Sequence, residues 1–207
     1  MAVAAVKSRR TASKEARRQQ LIEATIKCIS KRGIGSTTLG DVAKEAGLSQ
    51  GIVNLHFKSK ENLFSETLRF LAEEYKSLFE KTLDRSGPGA ADKLLALMEM
   101  DLRPSVCDPK KLAVWFGFWG EVKAMPTYRR MCNEYDKGYD QAIEKLCTEI
   151  IAQGKYGNVN ARIVAEILSS LTNGLWLSCL ISPRTWDRHA ALESVKAYLA
   201  SVFPQHF

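Results

Sequence analysis

Apolar residues recur along this chain at the three-and-four spacing of amphipathic helices, and no stretch alternates with the period of two that a half-buried strand requires. Leu21, Ile22, Thr25, Ile26 and Ile29 share one face of a first helix, which Ser13 can cap and which runs to about Lys31 before Gly33 and Gly35. Residues 38–57, TLGDVAKEAGLSQGIVNLHF, read as two short helices. Thr37 or Thr38 caps the first, Val42, Ala43 and Ala46 face inward, and Gly47 stops it in a left-handed conformation. Leu48 is then an apolar plug, and Ser49 caps a second helix beginning near Gln50.

Ser59 caps a third pattern, in which Leu63, Phe64, Thr67, Leu68, Leu71, Tyr75, Leu78 and Phe79 keep helical spacing. A helix this long begins in one domain and ends in the next, so residues 59–83 read as a connector. A loop with Gly87, Pro88 and Gly89 follows. Further helices are predicted over 92–100, 110–124, 127–153, 160–181 and 186–202. The fold class is all-α: an N-terminal three-helix helix-turn-helix domain (13–64), preceded by a flexible basic arm (1–12) and joined by the connector to a larger helical region (65–207).

Two helices joined by a tight glycine-containing turn form the unit that lays a recognition helix in the DNA major groove, although an ordinary helical hairpin shares the pattern. Charge separates the two. Residues 1–60 carry twelve Lys and Arg against four acids, a net +8, whereas residues 61–207 net −1, so the whole excess of the +7 chain lies with the helix-turn-helix. That asymmetry is the footprint of a phosphate-binding module. Gln50, Gly51 and Asn54 open the exposed face of the second helix, with Gln50 and Asn54 suited to reading adenine edges.

Five widely scattered cysteines form no short-spaced pair, so neither a disulfide framework nor a zinc site is indicated; buried thiols in a reducing cytosol fit better. No secretory signal precedes the basic residues, and the apolar run 163–181 is interrupted by Glu166, Asn173 and Gly174, which reads as a buried helix rather than a membrane span. No Walker loop, HExxH or complete dinucleotide-binding loop is present, and the three histidines lack a nucleophile constellation. The sequence therefore points away from an enzyme and implies no cofactor and no metal. An architectural DNA-binding protein would not need the aromatic-rich, nearly neutral region after residue 110.

In that region Trp115, Phe118, Trp119 and Val122 share one helix face, and Tyr128, Cys132, Tyr135 and Tyr139 share another, with Glu121, Glu134, Asp136 and Asp140 beside them. Core packing accounts for any single ring. As a group, aromatic rings beside carboxylates are what a weakly hydrated cation needs.

The motif GxxxTTLxDVAxEAGLSxG with the following HFKSKENLF (residues 56–64) resembles the DNA-binding domain of the TetR family of bacterial transcriptional regulators. KLAVWFGFWGEV (111–122), PTYRRM (126–131) and NGLWLSCL (173–180) resemble the BetI group within it, whose members repress genes converting choline to glycine betaine and sense choline. Two positions depart from the pattern: Asn54 and Leu55 replace a frequent pair of tyrosines, and Asn173 replaces an aspartate.

The resemblance implies a cytoplasmic, nucleoid-associated homodimer, its last two helices forming a four-helix bundle. Ile163, Ile167, Leu171, Leu175, Val195, Tyr198, Leu199 and Val202 are apolar at suitable spacing. It implies a palindromic double-stranded DNA operator contacted by Thr38, Ser49, Gln50, Gly51, Asn54, His56 and Lys60, and a choline-like effector held by Trp115, Trp119, Tyr128, Tyr135 and Trp176 with Glu121 or Asp136 as counter-charge. The alternative is a repressor of the same type sensing another cationic or aromatic compound.

Overall fold

Nine helices, and no strand, make up the described residues: α1 (Ala2–Arg32), α2 (Leu39–Glu45), α3 (Gln50–Phe57), α4 (Lys60–Arg85), α5 (Ala90–Asp101), α6 (Pro109–Glu121), α7 (Pro126–Gly154), α8 (Ala161–Ile181) and α9 (Arg188–Val202). They come from a computed structural model that describes the backbone of residues 2–207 and the side chains of residues 14–207 apart from Tyr135 and Asp136. The first helix corrects the sequence expectation. Ser13 lies inside α1 rather than capping it, and the stretch read as an arm continues the helix, because residues 2–12 are alanine-rich and contain neither Gly nor Pro. The side chains of Lys7, Arg9 and Arg10 lie outside the described residues.

Local chemistry sets the other boundaries. Thr38, not Thr37, caps α2: its hydroxyl accepts from the Asp41 N–H while the Asp41 carboxylate accepts from the Thr38 N–H, a reciprocal capping box. Thr37 is fully buried and donates instead to the Gly33 carbonyl at 2.8 Å. Gly47 takes the left-handed conformation (φ 65°) that turns the chain from α2 toward α3. Ser59 caps α4 by accepting from the Asn62 N–H, and the Asn62 side-chain amide donates to the Phe57 carbonyl, tying the end of α3 to the start of α4.

The packing forms two apolar cores that share helices. Leu21 and Ile29 of α1, Val42 of α2, Val53 and Phe57 of α3, and Leu63, Phe64 and Leu68 of α4 make the first; Val114 and Phe118 of α6 and Tyr128 and Cys132 of α7 close it. Leu94, Leu97 and Met98 of α5, Ile143 and Ile150 of α7, Leu168 and Trp176 of α8, and Val195 and Leu199 of α9 make the second. At 26 residues, α4 is about 39 Å long and serves both, with Leu63–Leu71 positions in the first core and Tyr75, Phe79 and Leu83 against the second. α6 also belongs to both, since Leu112 and Phe116 face the second core and Val114 and Phe118 the first.

α8 is apolar on two sides, and only one is covered. Val164, Ala165, Leu168, Thr172, Trp176 and Cys179 are buried, whereas Ile163 is 55%, Ile167 42%, Leu177 42% and Ile181 71% exposed. By length and composition it is the one described helix apolar enough to cross a membrane. The helix expected to be buried is covered on one face only within the single chain, because a three-and-four pattern gives the number of apolar positions, not which are covered. Val195 and Leu199, expected at a dimer contact, lie in the subunit's own core.

Candidate functional site

α3 presents an exposed face opposite its buried Val53 and Phe57: Gln50, Gly51, Asn54 and the apolar Leu55 are all exposed, Leu55 at 74%. Ser49 is exposed and makes no side-chain bond to the helix it begins. The Thr38 hydroxyl is occupied, accepting from the Asp41 N–H and donating to its carboxylate, so its cap role comes first. His56 is half-buried with a buried Nδ1 that has no partner, and burial, then the neighbouring Lys14 and Arg18, hold its pKa below the usual histidine value. Lys60 stands at the start of α4, its ammonium 3.3 Å from the Gly35 carbonyl and 5.2 Å from the Phe64 ring centroid.

Several N-terminal basic residues are paired with nearby acids. Arg18 pairs with Glu66 at 2.8 Å and lies over the Phe57 ring, Lys31 pairs with Glu45, and Arg32 with Asp41. Lys44, Lys58 and Lys60 remain around α3 with no carboxylate within 4.0 Å among the described residues.

A cavity of about 520 Å³ lies between α4, α6, α7 and α8. Trp115, Trp119 and Trp176 line it as the sequence suggested, joined by Tyr75 and Phe79 of the connector and by Tyr139. Glu80, Glu134 and Asp140 bring three carboxylates to its wall against one ammonium, Lys76, which lies 3.9 Å from Glu80. The volume falls in the range of small-molecule sites, and the wall combines aromatic surface with excess negative charge. That combination suits a cation with little hydration.

Two expected ligand residues lie elsewhere. Tyr128 packs edge-on against Phe118 in the first core, centroids 4.6 Å apart, and burial pushes its phenol up to about 12. Glu121 does not line the cavity either. The side chains of Tyr135 and Asp136 lie outside the described residues. The physical reason for the Tyr128 correction is axial: it and Tyr139 share a face of α7 but sit eleven residues, about 16 Å, apart, and the helix passes from one core to the other between them.

Behind the cavity lies a group that periodicity did not single out. Asp101, at the end of α5, is fully buried and accepts hydrogen bonds from the Tyr75 hydroxyl at 2.7 Å and the Tyr139 hydroxyl at 2.6 Å. Its main-chain carbonyl accepts from the Trp176 Nε1–H at 2.8 Å. Burial raises the Asp101 carboxyl to about 7 against the opposing effect of the two phenols, and the phenols are themselves pushed well above their usual range by burial and by Asp101. Tyr75 packs edge-on against Trp176 with centroids 6.1 Å apart, and Tyr139 lies between Tyr75 and Phe79. Asp101 thus fixes three rings, those of α4 and α7 through its carboxylate and that of α8 through its main-chain carbonyl.

Comparison with known proteins agrees with this architecture. Residues 21–67 match the family model for bacterial regulatory proteins of the tetR family, and residues 90–204 match that for the BetI-type transcriptional repressor C-terminal domain. The HTH-type transcriptional regulator BetI of Paraburkholderia xenovorans is 30% identical over 90% of this chain and 93% of its own, and that of Pectobacterium carotovorum 29% identical over 88% and 92%. A transcriptional regulator from Pseudomonas aeruginosa PAO1 superposes with a TM-score of 0.81 at 26% identity, covering 92% of both chains. One from Saccharomonospora viridis, solved in complex with choline, gives 0.77 at 24% identity over 89% of this chain and 96% of that one.

Proposed function

The chain belongs to the TetR family of transcriptional repressors and carries a BetI-type C-terminal domain, and from this premise we propose that choline or a closely similar quaternary ammonium is the effector that releases it from DNA. The observation that carries the proposal is the aromatic cavity with its surplus of carboxylates. A quaternary nitrogen offers no N–H to a hydrogen-bond acceptor, so it is recognised by ring faces and by charge, each well-placed ring contributing about 0.5–2 kcal/mol. The choline complex of the Saccharomonospora regulator supports the same chemistry.

The protein acts in the cytoplasm as a homodimer that places two α3 helices in successive major grooves, about 34 Å apart. Gln50 and Asn54 read base edges; Ser49, Gly51, His56 and Lys60 meet the backbone, with Lys60 at the positive end of α4; Thr38 contributes by fixing the start of α2. The exposed Ile163, Ile167, Leu177 and Ile181 of α8 form the subunit contact. Repression is steric and requires no chemistry.

Coupling runs through α4. Tyr75 and Phe79 touch the effector, while Leu63, Phe64 and Leu68 of the same helix belong to the core that carries α3. Thermal-shift measurements on the full chain test the effector. Choline should raise the melting temperature in a concentration-dependent way, and glycine betaine, whose carboxylate meets Glu80, Glu134 and Asp140, should do so weakly. Equal stabilisation by both compounds, or by neither, would remove choline from the reading.

A further inference from the structure

We infer that Asp101 is the concealed anionic pole of the effector cavity, setting its selectivity for a positively charged ligand through the Tyr75 and Tyr139 phenols. This rests on the cation-sensing reading above and deepens it. The argument begins with an electrostatic imbalance. Asp101 is wholly removed from water, and among the described residues no lysine or arginine nitrogen lies within 4.0 Å of its carboxylate. An unpaired buried carboxylate is costly, and the chain keeps one where apolar packing would be cheaper.

Each element packed around it contributes a named group, and none supplies a countercharge. α4 brings the Tyr75 hydroxyl and α7 the Tyr139 hydroxyl. The α5–α6 turn brings the Cys107 thiol, which donates to the Asp101 carbonyl, and α8 brings the Trp176 indole N–H to that carbonyl and the Cys179 thiol to the carbonyl of Cys107. From α9, Arg188 is directed to the Leu102 carbonyl at 2.9 Å. Both phenols that do reach the carboxylate belong to rings forming the cavity wall. The missing positive charge is therefore supplied from the cavity side, one tyrosine ring away, and hydrogen bonding polarises each ring toward a more negative face for a cation to rest on.

This arrangement differs in kind from the carboxylates on the wall. Glu134 and Asp140 are exposed, so water and salt screen them and any cation can meet them. Asp101 lies in a low-dielectric interior and acts only on a ligand that enters. Its carboxyl, raised to about 7, is partly protonated near neutral pH in the empty protein. A cation in the cavity favours the ionised form, so binding expels a proton to solvent and tightens as pH rises through that value.

The test compares choline with dimethylbutanol, the uncharged isostere in which carbon replaces the ammonium nitrogen, by calorimetry on the full-length protein at about pH 6 and about pH 8. Wild type should prefer choline by at least about tenfold at the higher pH and by less at the lower. Asp101→Asn should bring the preference close to the residual level set by the wall acids and remove its pH dependence. Tyr75→Phe, which retains the carboxylate and the Tyr139 bond, serves if Asp101→Asn does not fold: loss of a hydrogen bond to the ionised form should move the midpoint of the pH profile upward. A preference and pH profile unchanged in both variants would overturn the role of Asp101 while leaving choline as effector. Absence of binding of choline to wild type would overturn both.

Discussion

Asn54, exposed on α3, and Lys60, at the start of α4, have different parts in the DNA recognition proposed above. Asn54→Ala should flatten sequence preference, because a base-edge contact distinguishes duplexes, whereas Lys60→Ala should weaken all duplexes alike and lower the salt slope by about one. Equal losses for both variants on selected and random DNA would contradict that division. Among the three tryptophans that the sequence treated together, Trp119 and Trp176 also separate. Trp176 is buried and bonded to the Asp101 carbonyl, so Trp176→Ala should cost about 3–5 kcal/mol of stability, while half-buried Trp119 should tolerate alanine and lose effector response. Chemical denaturation beside an effector titration checks this. Trp115 and Trp119 were legible because rings and acids shared helix faces, and Trp176 through the resemblance of residues 173–180. Tyr128 was misplaced because periodicity reports the face of α7 but not the position along its axis. Asp101 was missed because one acid at the end of an apolar helix resembles a solvated terminus; its significance comes from contacts with residues 26 and 38 positions away.

The helices themselves were readable because capping residues and breakers are local: Thr38, Gly47 and Ser59 mark boundaries where they were expected, and Pro109 and Pro126 open α6 and α7 one residue before the predicted starts. Only α1 extends well beyond its expected start. What remained hidden is how helices share cores, since that depends on tertiary partners. α6 shows this most clearly, with alternate residues serving two cores. At this scale α5 makes stability pH-dependent. Asp101 has a folded-state pKa above its unfolded value, so the native state binds the extra proton, and its contribution to stability falls as pH rises from about 4 through about 7. Thermal melts should show that decline, and Asp101→Asn should reduce it; an identical profile in the variant would assign the decline to other groups. α8 carries a separate expectation. Ile167→Glu with Leu177→Glu should leave each subunit folded yet convert the dimer to monomers in sedimentation, since both positions are exposed in a single chain. Monomeric wild type would remove α8 from the interface.

Across the whole molecule, two cores are joined by α4 and α6, and the proposed function makes effector binding and DNA binding compete for one arrangement of those helices. The cavity uses the second half of α4, and the first half carries the helix-turn-helix. In the proposed mechanism a cation draws Tyr75 and Phe79 toward α6 and α8 and changes the angle at which α3 is presented, and a dimer would magnify the change because both half-sites must fit at once. Coupling of this kind typically amounts to about 1–3 kcal/mol, and it is reciprocal. The most direct test is fluorescence anisotropy of a labelled duplex, chosen by the full-length protein from a random pool, at increasing choline concentration. Choline should raise the duplex Kd by about 5- to 150-fold at saturation, and saturating duplex should raise the choline Kd by the same factor. A duplex affinity that stays constant or tightens with choline, at concentrations where calorimetry shows the cavity filled, would contradict the account.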